Sequence, residues 1–144
     1  MSETCETPLK NASPGEIRAI LMNAKRIAVV GHSNDPSRDS YQVGRYLAAH
    51  GYEVFPVNPN AASTAALRFY PDLDAIPGPI DVVDVFRRPE AIPEIVDAAI
   101  RKGAGVVWMQ LGLAHNAAAA KARAAGLIVV MNRCMMRDHR DVLG

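Results

Sequence analysis

The sequence predicts an α/β protein of the Rossmann-like type, a doubly wound parallel sheet with helices on both of its faces. Three observations support this prediction. Short β-branched runs alternate along the chain with amphipathic segments of helical period. The runs at 27–30 and 106–109 are apolar throughout, as strands buried on both faces are. Pro, Gly and Asn cluster where the runs end, which indicates short turns between the elements.

Each predicted element has a local signal at its ends. The first helix begins with a capping box, in which Ser13 is the N-cap, Pro14 follows it, and Glu16 stands three residues after the cap. Three glycines end later helices as C′ residues: Gly51, Gly103 and Gly126. The predicted elements, in chain order, are helix 14–24, strand 26–30, a helix capped by Asp39 or Ser40 and ending at 50, strand 52–57, strand 68–70, strand 81–86, helix 90–102, strand 106–110, helix 116–125, strand 127–131 and helix 135–142.

Right-handed crossovers between these strands predict the strand order 3-2-1-4-5-6. The short strand at 68–70 is strand 3, at the edge of the sheet, since prolines in residues 61–80 break anything longer. Residues 1–12 are polar and are expected to form a flexible tail. Residues 13–144 are expected to form a single domain, because no linker divides them.

Composition limits the class of partner and the compartment. Lys and Arg number 16 against 15 Asp and Glu, so we expect no nucleic-acid partner. No run of 18 apolar residues is present and the first residues lack the apolar core of a signal peptide, so we expect a cytoplasmic protein without a membrane partner. Cys5 lies in the predicted tail, and a structural disulfide with Cys134 is therefore not expected.

The loops after the strands predict a site for a phosphorylated molecule. Carboxyl ends of parallel strands meet at one rim, and the loop after the first strand leads into a helix N-terminus, which suits an anion. This rim offers small residues, hydroxyls, amides and arginines, but no paired carboxylates and no Cys/His cluster at metal spacing, so no catalytic residue and no metal is predicted. The rim residues are Gly31, Ser33, Arg38, Ser40, Asn58, Pro59, Phe86, Arg87, Arg88, Gln110 and Gly112.

Two common nucleotide motifs are missing from this loop. A dinucleotide fingerprint needs Gly-x-Gly-x-x-Gly after the first strand, and only Gly31 of the three glycines is present. The ribose-binding acidic residue after the second strand is replaced by the sequence Asn58-Pro59-Asn60. No Gly-Lys-Ser/Thr sequence occurs either. These absences argue against NAD, FAD and a Walker-type nucleotide site.

A set of motifs in order along the chain carries a resemblance. The motifs are Gly31-x-Ser33, Asp35-Pro36-Ser37-Arg38-x-Ser40, Tyr46-Leu47, Gly51-Tyr52-x-Val54, Pro56-Val57-Asn58-Pro59, Asp84-Val85-Phe86-Arg87, Val107-Trp108-x-Gln110-x-Gly112 and Arg133-Cys134. Each motif alone is weak, but the ordered set over residues 14–140 resembles the small stand-alone CoA-binding proteins. These are similar to the CoA-binding domain of the succinyl-CoA synthetase α subunit.

The resemblance implies coenzyme A or an acyl-CoA as the ligand. The residues it implies for the phosphates are Gly31, His32, Ser33 and Ser40, with Asn58 and Pro59 from the loop after the second strand. Those it implies for the adenine and pantetheine are Val85, Phe86, Arg87 and Pro89. Rim position adds Arg38, Gln110, Gly112 and Cys134 to the predicted cofactor-binding set.

The sequence departs from the synthetase pattern at two positions. Asn34 stands where the synthetase loop has a further glycine, and Ala61 stands where it has a lysine. Arg38, Arg87 or Arg88 would have to supply the missing charge. The synthetase also needs a phosphohistidine domain and a nucleotide-grasping partner, for which 144 residues leave no room. The resemblance therefore implies a binding module without a known reaction.

Three functions follow from this sequence. The first is a non-catalytic carrier, sensor or regulatory module that binds CoA or an acyl-CoA. The second is an enzyme or redox-linked protein that acts on a CoA- or nucleotide-linked substrate through Cys134 or His32, with Cys134 forming a mixed disulfide with CoA. The third is a fold with an empty pocket whose surface binds a protein partner. A homodimer is compatible with each of them, although no sequence pattern indicates one.

Overall fold

A computed structural model describes residues 6–144 and contains one parallel sheet of five strands within them, in the order β2-β1-β3-β4-β5. The strands are β1 (Arg26–Val30), β2 (Glu53–Val57), β3 (Val82–Val85), β4 (Val106–Met109) and β5 (Ile128–Val130). The α-helices of the same residues are α1 (Pro14–Asn23), α2 (Asp39–Ala49), α3 (Ile92–Lys102), α4 (Asn116–Ala124) and α5 (Met135–Val142). The predicted Rossmann-like fold class is confirmed.

The predicted edge strand at 68–70 is reduced to a single bridge. Tyr70 pairs with Val57 in parallel, through hydrogen bonds of 2.9 Å from Tyr70 N to Pro56 O and from Asn58 N to Tyr70 O. Pro71 follows directly and has no N–H with which to extend the ladder. When this strand is left out and the remaining strands are renumbered, the predicted order is the observed one.

The two faces of the sheet are covered by different helices. Alternate strand residues such as Val83 and Val85 pack with the apolar sides of α3 and α4. The strand residues that point to the opposite face, among them Val29 and Trp108, pack with α1, α2 and α5. This alternation follows from the twofold period of a strand, and it places a core on each face of the sheet.

The predicted start of α1 is confirmed, whereas the starts of α2 and α3 differ in detail from the prediction. The capping box of α1 is confirmed, since Ser13 Oγ accepts from Glu16 N at 3.1 Å. Helix α2 instead begins with Arg38 as its N-cap and has no side-chain cap. Ser40, predicted as a cap, accepts a hydrogen bond from the N–H of Ser33 instead. A 3₁₀ turn at Pro89–Ala91 precedes α3. No helix within residues 6–144 is long and apolar enough to cross a membrane.

The segment before α1 lies along the outer edge of β5. Asn11 Nδ2 donates to Met131 O at 2.8 Å, and Asn11 Oδ1 accepts from Met131 N at 2.9 Å. The Asn11 side chain therefore satisfies the hydrogen bonds of a backbone N–H and C=O beside the edge strand. Leu9 N donates to Asn116 Oδ1 at 2.9 Å. Flexibility of the tail stays a prediction. Cys5 lies outside the described residues, and so does the prediction about its disulfide.

His32 is packed between α2 and the loop that follows β2. Its ring is 2 % exposed and makes edge contacts with the rings of Tyr41 and Phe69. His32 Nδ1 donates to Ser33 O at 2.7 Å, since a carbonyl can only accept. Gly44 of α2 lies directly against the other side of the ring, where a Cβ would be 2.5 Å from His32 Nε2. The close approach of α2 to the first loop therefore depends on glycine at position 44.

Asp84 is a carboxyl group in the middle of β3, with 0 % of its surface exposed. Gln110 Nε2 donates to Asp84 Oδ2 at 3.4 Å, and Asp84 Oδ1 has no hydrogen-bond partner within residues 6–144. Burial raises the pKa of Asp84 well above its usual value, and the hydrogen bond from Gln110 opposes this only in part. The folded state therefore favours the protonated form of this carboxyl group.

We expect Gly44→Ala to lower the free energy of unfolding. The added methyl group would push the His32 ring against its aromatic neighbours, and overpacking of this kind costs about 1–3 kcal/mol. Urea denaturation measures the change. Gly15→Ala is the matched control, because its Cβ would meet only Ser13 Oγ, at 3.9 Å. Equal stability of the two variants would contradict the close contact.

We expect Asp84→Asn to become more stable than the wild type as the pH rises. The unfolded carboxyl ionises above about its usual value of 3.8, whereas the folded group keeps its proton until its raised pKa is reached. The wild type therefore loses stability over that window, by up to about 1.4 kcal/mol per pH unit, and asparagine does not.

Urea unfolding of both proteins between pH 4 and pH 8 measures this difference. Asp141→Asn is the control, since position 141 is exposed and its variant should follow the wild-type curve. A constant difference between Asp84→Asn and the wild type at every pH would show that Asp84 ionises normally in the folded state.

Candidate ligand-binding site

The loop after β1 turns at Gly31, which has a φ of 90°. This left-handed conformation favours glycine, and space requires it as well. A Cβ at Gly31 would lie 2.4 Å from Phe86 O and 2.9 Å from Arg87 Cδ. The loops that follow β1 and β3 are therefore in direct contact, as expected for neighbouring strands of one parallel sheet.

Side chains of the first loop hold its own backbone in place. Ser40 Oγ accepts from Ser33 N at 2.8 Å, and Ser33 Oγ accepts from Asp35 N at 2.9 Å. Asn58, from the loop after β2, donates through Nδ2 to His32 O at 3.0 Å. Hydrogen bonds from Ser37 lower the pKa of Asp35. The predicted polar residues thus define the shape of the loop before any ligand is considered.

A polar cleft of about 400 Å³ lies between this loop and the start of α2. The N–H groups of the first turn of α2 have no acceptors within the helix, and no side chain caps them. They bring the positive end of the helix dipole to the cleft, next to the Arg38 side chain. The residues of the polar cleft are Gly31, Ser33, Arg38, Asp39, Ser40, Asn58 and Phe86.

A second space, the apolar cavity, lies beside the polar cleft and has a volume of about 460 Å³. Asp39 and Phe86 line both spaces, which are therefore adjacent. Carbon-rich side chains from α2, the loop after β4 and α5 provide much of the wall. The lining residues are Asp39, Gln42, Val43, Phe86, Arg87, Arg88, Pro89, Gln110, Leu111, Leu113, Cys134, Met136 and Arg137.

Three arginines of this lining have unpaired guanidinium groups. Arg87, Arg88 and Arg137 form no side-chain hydrogen bond or ion pair with any other residue in 6–144. Arg133 is different, since Asp138 accepts from its Nε at 2.7 Å and raises its pKa. Arg87, Arg88 and Arg137 therefore place positive charge without a counter-ion at the apolar cavity.

A third space, the outer pocket, lies across the loop after β3 and has a volume of about 320 Å³. Arg87 lines both the outer pocket and the apolar cavity. Pro59 lines the outer pocket but neither of the other two spaces. Asp72, Asp74 and Glu94 contribute carboxylates to its wall. The outer pocket is thus less suited to an anion than the polar cleft.

Most of the predicted site residues line these three spaces. The exceptions are His32, Val85 and Gly112. The ring of His32 lines a separate pocket behind α2, and burial lowers its pKa. Val85 is buried beneath α3, and Gly112 N donates to Asn132 Oδ1 at 2.7 Å outside the linings. The backbone carbonyl oxygens of His32 and Val85 accept hydrogen bonds from Asn58 Nδ2 and Gln110 N, respectively.

Sequence reasoning missed several lining residues. Val43, Met136 and Arg137 lie in predicted helices, and none of the three was predicted to contact the ligand. Asp39, Gln42 and Leu113 were not singled out as ligand contacts. The first turn of α2 offered a signal, because side chains next to an N-terminus lie beside any anion bound there.

Gln110 connects the apolar cavity to the sheet. Its Oε1 accepts from Met135 N, the first amide of α5, at 3.2 Å, and its Nε2 donates to Asp84. Cys134 is the N-cap of α5, is partly buried, and makes no side-chain cap. The start of α5 and the end of β4 are thereby held together at the wall of the cavity.

Known proteins resemble this chain along nearly its whole length. The uncharacterized protein YneT of Bacillus subtilis is 38 % identical over 131 residues, which are 91 % of this chain and 97 % of YneT. A hypothetical protein from Pyrococcus horikoshii has a solved structure that superposes with a TM-score of 0.90 at 45 % identity, and the match covers 100 % of both chains.

A more distant relative is part of a larger protein. The α subunit of ADP-forming acetate–CoA ligase II from Pyrococcus furiosus is 27 % identical over 117 residues, which are 80 % of this chain but only 26 % of the subunit. The chain thus spans about a quarter of that subunit. Residues 25–140 match the family described as "CoA binding domain", and they include β1 to β5 and the loops of the polar cleft and apolar cavity. This chain therefore belongs to the CoA-binding domain family.

Proposed function

We propose that the protein binds coenzyme A or an acyl-CoA, as a carrier, sensor or regulatory module without a reaction of its own. One observation supports this most directly. A polar cleft with an uncapped helix N-terminus adjoins an apolar cavity that has three unpaired arginines. A ligand that fits needs several phosphates joined to a long, weakly polar arm, and CoA has both.

The site suggests how the parts of CoA are distributed. The pyrophosphate takes the polar cleft, where N–H groups of α2 and Arg38 provide donors. The pantetheine arm passes Phe86 into the apolar cavity. Arg87 borders the apolar cavity and the outer pocket, so its planar fork can reach the 3′-phosphate. The name of the acetate–CoA ligase relative gives independent support to this ligand class.

The absence of a reaction is part of the proposal. Within the linings of the polar cleft and the apolar cavity, the ionisable side chains are arginines, Asp39 and Cys134. No histidine or second carboxylate stands beside Asp39 to form an acid and base pair. A module that senses CoA without a reaction must pass the signal to a protein partner or to a second copy of itself. We expect the protein to act in the cytoplasm.

Arg87→Ala should weaken CoA binding by about tenfold or more, because one charge-assisted contact is worth about 1.5–3 kcal/mol. Isothermal calorimetry of reduced protein with CoA, with NAD and ATP as comparison ligands, measures this. Arg18→Ala on the exposed side of α1 removes the same charge far from the site and should leave CoA affinity unchanged.

The comparison ligands decide between functions. Saturable CoA binding without comparable NAD or ATP binding supports the proposal. Absence of any CoA binding at millimolar concentration would overturn it and favour a protein-binding surface. An equal loss of CoA affinity in Arg87→Ala and Arg18→Ala would show that CoA binding depends only on the net charge of the protein.

A second candidate function is supported by the position of Cys134. Its thiol lies in the wall of the apolar cavity, where the thiol end of CoA would arrive. In thiol–disulfide exchange, the Cys134 thiolate attacks one sulfur of CoA disulfide. A mixed disulfide with CoA forms, the original S–S bond breaks, and one CoA thiolate leaves. The protein would then be a redox-linked CoA protein.

Incubation of a Cys5→Ser variant with CoA disulfide should add one CoA moiety to Cys134, because the cavity concentrates the reagent there. Intact-protein mass spectrometry detects the adduct, and dithiothreitol should remove it. A variant with both Cys5→Ser and Cys134→Ser is the control. An unmodified Cys134 after saturation with CoA disulfide would rule this candidate out, and hydrolysis of acetyl-CoA lost in Cys134→Ser would indicate an enzyme.

A further inference from the structure

Gln110 is an uncharged polar side chain at the inner wall of the apolar cavity. Only 3 % of its surface is exposed, and that wall otherwise contains groups such as Val43, Leu113 and Met136. A polar group in such surroundings normally has all its hydrogen bonds made, since an unmet donor or acceptor is costly when buried. The hydrogen bonds of Gln110 can be counted.

The orientation of the Gln110 amide is fixed by its neighbours. Oε1 accepts from Met135 N at 3.2 Å, and the reversed amide would place an NH₂ group against that N–H. Nε2 therefore points to Asp84 and donates one of its two hydrogens to Oδ2, at 3.4 Å. The second hydrogen has no acceptor within residues 6–144. Gln110 thus has one amide hydrogen left to donate to a ligand in the cavity.

Asp84 maintains this arrangement from behind. Its Oδ2 accepts from Gln110 Nε2, and its Oδ1 has no hydrogen-bond partner within residues 6–144. The carboxyl is fully buried and lies in the sheet beneath the cavity wall. A ligand in the cavity therefore meets Gln110 and not Asp84, which acts only as a positioning residue.

We propose that the free N–H of Gln110 binds the carbonyl oxygen of a thioester, so that the site prefers an acyl-CoA to free CoA. This inference rests on the proposed function and specifies the ligand of the same site. A thioester carbonyl is a good acceptor, whereas a thiol sulfur is a weak one. The apolar lining beyond Gln110 leaves room for a short acyl chain within the cavity of about 460 Å³.

The test compares three ligands by calorimetry: CoA, acetyl-CoA and S-ethyl-CoA. The last has the size of acetyl-CoA but a thioether in place of the carbonyl. One neutral hydrogen bond is worth about 0.5–1.5 kcal/mol, so acetyl-CoA should bind about threefold to tenfold more tightly than S-ethyl-CoA. Equal affinity for these two ligands would overturn the inference even if both bind well.

Two variants separate the carbonyl contact from a structural effect. Gln110→Met keeps the length of the side chain without the donor, and it should lose the preference for acetyl-CoA while still binding S-ethyl-CoA. Asp84→Asn still accepts from Gln110 through Oδ1, so it should keep the preference. Retention of the preference in Gln110→Met would overturn the inference.

The failure of the proposed function gives a different result. In that case none of the three ligands binds to the wild type, whose folding circular dichroism confirms. If CoA binds but shows no carbonyl preference, the proposed function stands and only the role of Gln110 is wrong. If Gln110→Met fails to fold, the comparison of acetyl-CoA with S-ethyl-CoA on the wild type still decides.

Discussion

The contact between Gly31 and the backbone of Phe86 is the constraint on which the site depends. With a positive φ and no Cβ, Gly31 lets the first loop turn directly against the loop after β3. This brings Phe86 to the boundary of the polar cleft and the apolar cavity and places Arg87 beside them. Any side chain at position 31 would push the two loops apart and separate the spaces that together suit one extended ligand.

Polar groups are used in two different ways around this contact. Those of the first loop, such as Ser33, Ser40 and Asn58, bond to one another and fix the backbone. By contrast, the arginines around the apolar cavity and the first amides of α2 keep their donors unused. Since unused charged donors at a concave surface favour anions, the combination favours a phosphorylated ligand. Gln110 also keeps one amide hydrogen unused, at the wall of the apolar cavity.

Much of the fold could be predicted because its signals are local. The capping box at Ser13, the left-handed Gly103 after α3 and the bounds of α5 follow from neighbouring residues alone. The start of α2 could not be predicted in this way, since the hydroxyl of Ser40 is used by Ser33, seven residues earlier. The prediction of an edge strand at 68–70 was wrong because a strand needs a series of hydrogen bonds to its neighbour. Of these residues, only Tyr70 pairs with β2, and Pro71 has no N–H with which to continue the pairing.

The sequence by itself determined the Rossmann-like class, the strand order of the main sheet and the rim that contains the candidate site, because period, turn chemistry and crossover handedness act over short distances. Tertiary structure decided which side chains face that rim. It turned the ring of His32 into the core, left Val85 beneath α3 and brought Cys134 and Gln110 to one wall. These outcomes depend on packing between elements far apart in the chain, where burial and close approach select one orientation that no local pattern encodes.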